Sequence, residues 1–248
     1  ATEHQDGLVL AVSVESVVKL AAFLAIGLLV TFSIFDGPRA MLEALAADSQ
    51  VRGAMSYGTS LATWLVLTGL SGFAILMLPR QFYVTVVENR SEAELRAAAR
   101  VFPAYLIAIN LFVLPIALAG LAVISGRAGS DLYVLALPLL TGHDLFAVVA
   151  FVGGFSAATA MVIVESVALS IMISNDLVIP LFVRRLVRTA NSENDDWSTL
   201  ILNVRRAAIF IMLFVALLYD GASTDSARLS SIGLMSFAAI AQFAPALI

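Results

Sequence analysis

The sequence predicts an all-α integral membrane protein, and three observations carry that prediction. Of the 248 residues, 60% are hydrophobic and only 13% charged, against roughly 25% charged in a soluble domain. The mean hydropathy is +0.97, too apolar for a surface wetted on all sides. The apolar residues form runs that can cross a bilayer, which takes ~20 residues at about 1.5 Å rise each, and arginines collect in alternate connections between them.

Six apolar segments follow one another, near 8–35, 55–78, 102–125, 145–179, 200–219 and 229–248. Each has spanning length. The connection 80–100 holds Arg80, Arg90, Arg96 and Arg100, and 184–206 holds Arg184, Arg185, Arg188, Arg205 and Arg206. The others hold Arg39 and Arg52, then Arg127, then Arg228. Loops rich in Arg and Lys stay on the cytoplasmic side. The pattern therefore puts 80–100 and 184–206 in the cytoplasm, with residues 1–7 on the same side.

The connections carry local signals too. In PRAMLEALAADSQ (38–50), Pro38 suits a first helical position and Met41, Leu42 and Leu45 form an apolar face, so a short interfacial helix is expected. DLYVLALPLL (131–140) is too short to span and is expected at the outer surface. Ser91 followed by Glu94 reads as a capping box opening a helix that runs into the third span. Pro103 and Pro115 read as kinks within that span, and NSENDD (191–196) as a polar loop.

Composition also excludes functions. A net charge of −4 and a pI near 5.1 do not suit a nucleic-acid partner. The chain has no cysteine, hence no thiolate metal site or disulfide framework. Its two histidines, His4 and His143, are far apart. No hydrolase elbow, phosphate loop, zinc helix or dinucleotide fingerprint is present, so no catalytic residue is assigned. The chain opens at Ala1 and stops at Ile248 inside an apolar run, which reads as a piece of a longer chain.

Polar groups inside apolar spans are the candidate functional residues, because a charge there is expensive unless paired or hydrated. Glu15 and Lys19 stand at i, i+4, with the glutamate N-terminal, the better orientation for an ion pair. They are either a self-neutralised pair or the lining of a solute path. Lys19 is the only lysine, but a retinal Schiff base does not suit a lysine beside its own counter-ion in the first span. Glu165 lies deep in the fourth span, to line a path or to hold helices together through Lys19 or a serine. Around it, Gly153, Gly154, Ser156, Ala157, Ala158, Thr159 and Ala160 form a small-residue face. Close helix packing explains that face, while its oxygens could instead hold Na⁺. Gly69, Ser71 and Gly72 are expected to interrupt the second span halfway, exposing backbone dipoles to a solute, and Pro79 ends it.

Three stretches together resemble the solute:sodium symporter family, the proline and sugar symporter relatives. They are the glycine-bearing span that leads into LPRQF, the helix GGFSAATAMVIVESVALSIMISNDL, and the span NVRRAAIFIMLFVALL. More narrowly, MLPRQFYVTVVENRSEAEL and SAATAMVIVESVALSIMISNDLVIPL look like the symporter-type membrane domain of certain bacterial sensor histidine kinases.

The resemblance implies a LeuT-like helical bundle of ten core helices in two inverted repeats, of which these spans would be the fifth to the tenth. It implies a multi-pass protein of the bacterial inner membrane, whose partners are the lipid bilayer, a small organic solute such as an amino acid, and a cytoplasmic kinase domain of the same chain. Solute-binding residues would be Gly69, Ser71, Gly72, Glu165, Glu15 and Lys19. Aligned through ISNDL, the family's sodium-binding alanine falls on Ala157, but its adjacent hydroxyl positions fall on Ala160 and Met161. Ser156 and Thr159 lie close enough to restore an oxygen. That departure suits a sensor better than a sodium-driven transporter, while a stand-alone cation-coupled symporter is the alternative.

Overall fold

The computed structural model describes residues 6–89, 91–124, 126, 128–181, 197–222 and 229–243. The described residues are helical almost throughout, and none forms a strand. Four helices among them are long and apolar enough to cross a membrane, or five if one bent pair counts as a single span. This is consistent with a multi-pass membrane protein. Arg90, Arg127, Arg184, Arg185, Arg188, Arg228, His4 and the loop 191–196 lie outside the described residues.

In chain order, α1 (Asp6–Leu28) continues through a π-helical segment, Leu29–Ile34. Then come α2 (Pro38–Ala47), α3 (Ser49–Met55), α4 (Leu61–Met77) and α5 (Pro79–Phe82), which runs on as a π turn to Val87. Next are α6 (Glu92–Asn110), α7 (Val113–Ile124), α8 (Tyr133–Leu140) and α9 (Asp144–Met172). The last two are α10 (Trp197–Ala222) and α11 (Leu229–Ala241).

Short-range chemistry sets most boundaries. Pro38 occupies the first turn of α2, where its missing N–H is no loss. The Asp48 carboxylate accepts from Gln50 N and Val51 N at 2.8 and 3.0 Å and so opens α3, a helix not expected from the sequence. Ser60 Oγ accepts from Thr63 N at 3.1 Å, so α4 begins at Leu61 and not near residue 55. Ser91 Oγ accepts from Glu94 N, as the capping pattern predicts. Pro115 sits in the first turn of α7, after a break at Leu111 and Phe112.

One expectation fails here. The span 55–78 is not interrupted at Gly69, Ser71 and Gly72, because α4 runs unbroken past all three. The break comes at Leu78, whose ψ of 124° is extended, immediately before Pro79, and the two helices are bent by 52° there. Isolated glycines cost a helix only about 1 kcal/mol each; a proline disfavours helical backbone in the residue before it. Of the sixth apolar segment, residues 244–248 lie outside the described residues. α11 ends at Ala241 after 13 residues, closing through Gln242 N to Ala239 O and Phe243 N to Ile240 O.

The chain divides into two compact units, 1–69 with 88–160 and 70–87 with 161–248. The first holds a hydrophobic core built from Ile26 and Val30, Met41 and Leu45 of α2, Val51 of α3, Ile116 and Ala119 of α7, and Leu137 of α8. The short helix α8 is thus packed onto α7, with Tyr133 lying over Gly120. A Cβ on Gly120 would overlap the Tyr133 ring, so only glycine admits that contact. In the second unit α10 turns its apolar residues outward, with only 6% of its most apolar stretch buried. Phe210, Ile211 and Leu217 are all exposed there, as on a helix facing hydrocarbon.

Candidate functional site

The site grows from the contact of α1 with α9 in the first unit. Ala22 lies against Gly153, where a Cβ would overlap it. A small residue here lets two helices approach closely enough for side chains nearby to reach across. About a turn further along α9, Ser156 Oγ donates to the Glu15 carbonyl at 3.0 Å, and Thr159 Oγ1 donates to Glu15 Oε1 at 3.1 Å. The Thr159 hydroxyl also lies 3.0 Å from Phe155 O and 3.1 Å from Ser156 O. Its single proton is therefore shared among three acceptors. Glu15 Oε2 is buried without a hydrogen-bond partner. From α6, Tyr105 Oη donates to Ser16 O at 3.4 Å and ties a third helix to the same turn of α1.

This corrects the expected Glu15–Lys19 pair. Helical spacing brings the two side chains onto one face, but Glu15 reaches across to α9, and no ion pair joins it to Lys19. Lys19 has no hydrogen-bond or ion-pair partner among the described residues.

Lys19 instead lines a cavity of about 650 Å³, a size typical of small-molecule sites (roughly 300–1,000 Å³). Phe23 of α1, Asn110 of α6, and Gly154, Phe151 and Phe155 of α9 share its wall. Phe151 and Phe155 stand one turn apart with rings stacked, centroids 6.3 Å apart and planes 19° off parallel. Asp131, in the turn before α8, is the remaining charged group on the wall. Asn110 Nδ2 donates to Leu106 O at 2.8 Å. Most of the wall is hydrocarbon, with one ammonium group in it.

Of the sequence-predicted residues, the structure brings together Glu15, Ser156 and Thr159, with Lys19 and Ala157 at the adjoining cavity. Gly69, Ser71, Gly72 and Glu165 do not line that cavity. The two glycines have open space where a side chain would stand. In the second unit, Glu165 Oε2 lies 3.9 Å from Arg80 Nε, so its ion-pair partner is an arginine and not Lys19. Sequence reasoning missed Phe23, Asn110, Phe151, Phe155 and Asp131. The signals were an asparagine within a span and two phenylalanines at i, i+4.

Ala157, Ser156 and Thr159, the expected sodium-site residues, follow one another on α9. Ala157 has no side-chain oxygen, and the hydroxyls of Ser156 and Thr159 both donate to Glu15. No cluster of three His, Cys, Asp or Glu residues is present among the described residues.

Compared with models of protein families, with curated proteins and with solved structures, the chain gives no match.

Proposed function

We propose that the chain is a membrane domain that binds a small organic solute between its helices and reports or moves it. On this reading it follows the LeuT-like plan of the solute:sodium symporters. It resembles the symporter-like input domain of a bacterial sensor histidine kinase, with 80–100 and 184–206 on the cytoplasmic side. The observation that carries the reading is the cavity of about 650 Å³ that meets an unpartnered lysine inside a helix of spanning length. An ionisable group at such a depth marks a solute or ion pathway more often than a structural anchor.

The sensor reading is favoured over a sodium-driven symporter by one arrangement. The positions that the family's sodium-binding hydroxyls would take fall on Ala160 and Met161, which have no side-chain oxygen. A solute would act by binding one arrangement of the helices better than another, and can shift them only as far as that difference in affinity.

The test is a melting-temperature screen of the full-length protein in nanodiscs with small organic acids, amines and sugars. Stabilisation by one class, lost when Gly154→Trp fills the cavity, is the expected result. No stabilisation by any class, or equal stabilisation of Gly154→Trp, would overturn the proposal. Uptake into proteoliposomes that requires a Na⁺ gradient would assign a symporter in place of a sensor.

A further inference from the structure

We infer that the occupant of the α1–α9 cavity is an organic carboxylate with an apolar body, its anionic group on Lys19 and its body against Phe23, Phe151 and Phe155. The inference rests on the solute-binding reading and names the class of solute.

The charge of Lys19 is the first reason. A lysine within a membrane helix needs a counter-charge or access to water. The carboxyl group placed to supply it, on Glu15 one turn away, is committed to Thr159. Asp131 also faces the cavity, but no ion pair joins it to Lys19. Glu15 is level with Thr159 and Ala22 with Gly153, so Lys19 lies between those levels, one turn from Glu15. Asp131 belongs to the connection that precedes α8. An anion entering the cavity meets the ammonium without displacing an existing partner.

The wall supplies the second reason. A sugar needs a ring of hydrogen-bonding side chains, whereas this wall offers three polar ones, Lys19, Asn110 and Asp131. A cationic solute would meet Lys19 as a like charge. The remaining surface, with the stacked Phe151 and Phe155 rings, matches a phenyl or aliphatic body, and burial of that body is the main driving force. Such a carboxylate can come from water, as a small aromatic acid, or from the bilayer, as a fatty acid.

The experiment uses the full-length protein in nanodiscs of zwitterionic lipid and calorimetric titration with four probes. They are 3-phenylpropanoate, its amide, 3-phenylpropylamine and dodecanoate. Binding of a carboxylate at least ten-fold tighter than the amide or the amine is expected, with Lys19→Met removing that margin and Lys19→Arg keeping most of it. Preference for 3-phenylpropanoate assigns the aqueous source, and preference for dodecanoate the bilayer. The comparison of acid with amide on the unaltered protein holds even if Lys19→Met does not fold. Amide or amine binding as tight as the acid, and blocked by Gly154→Trp, overturns the carboxylate assignment while leaving the solute reading intact. No binding by any probe, together with no stabilisation of the unaltered protein by any class in the wider screen, overturns both.

Discussion

Thr159 of α9 donates its hydroxyl to Glu15 of α1 at 3.1 Å, joining residues 144 apart in sequence. One turn from this bond, Lys19 is left without the carboxylate that helical spacing would have given it. The two facts belong together. By drawing Glu15 across to α9, the threonine both fastens two long apolar helices and leaves a cation at the wall of an apolar cavity.

Removing the hydroxyl by Thr159→Val is expected to lower the melting temperature of the protein in detergent. A buried carboxyl oxygen that loses its donor forfeits about 1–3 kcal/mol, and Glu15 Oε2 already has no hydrogen-bond partner. Glu15→Gln alone is expected to cost less, because an amide keeps an acceptor oxygen for the hydroxyl. Combining Thr159→Val with Glu15→Ala tests the coupling directly, since interhelical hydrogen bonds in membranes average about 0.6 kcal/mol in double-mutant cycles. Strictly additive effects would show that the two side chains do not depend on each other.

Gly153 and Gly154 are neighbours with opposite expectations. A side chain on Gly153 runs into Ala22, whereas at Gly154 it enters open space. Gly153→Val is therefore expected to destabilise by about 1–3 kcal/mol, as overpacking does. Gly154→Val is expected to leave the melting temperature almost unchanged while narrowing the cavity. Thermal unfolding of the pair checks this, and equal losses would mean that α1 and α9 do not pack in this register.

Much of the helical framework could be read in advance because the signals were local. Pro38 and the Ser91–Glu94 cap act over a few residues, and the apolar runs mark their own helices. Gly69 and Gly72 misled because glycine only weakens a helix, and α4 absorbs two of them. Pro79 was the stronger punctuation, and the break moved to Leu78. The site was harder to read. Spacing placed Glu15 and Lys19 on one face but could not reveal a competing donor on a distant helix. The partner of Glu165 was hidden for the same reason: Arg80 had been counted as a loop charge that sets orientation.

That Arg80–Glu165 pair yields a separate prediction. At 3.9 Å, with side chains 22% and 40% exposed, it is a loose ion pair, and its contribution to stability is small where water reaches it. Its importance lies in Glu165, which stands within an apolar helix where a lone carboxylate is costly. Arg80→Ala is expected to reduce the yield of monodisperse protein in detergent, and Arg80→Ala with Glu165→Gln to restore most of it. Failure of the second change to rescue the first would assign Arg80 a role apart from Glu165.

Orientation is the remaining expectation open to a direct test, and the absence of cysteine makes the chain ready for it. The connection 80–100 carries Arg80, Arg90, Arg96 and Arg100, while the stretch between the first two apolar segments carries Arg39 and Arg52. Arginine near span ends is retained on the cytoplasmic side, so the two connections are expected on opposite faces. Gln50 and Ala93 are both exposed, and a single cysteine at either avoids the packed core. In intact cells a membrane-impermeant maleimide should label Gln50→Cys at once. Ala93→Cys should react only after the membrane is opened. Labelling of both from one side would mean that α4 and α5 do not form one crossing, with the bend at Leu78 turning the chain back toward the face it came from.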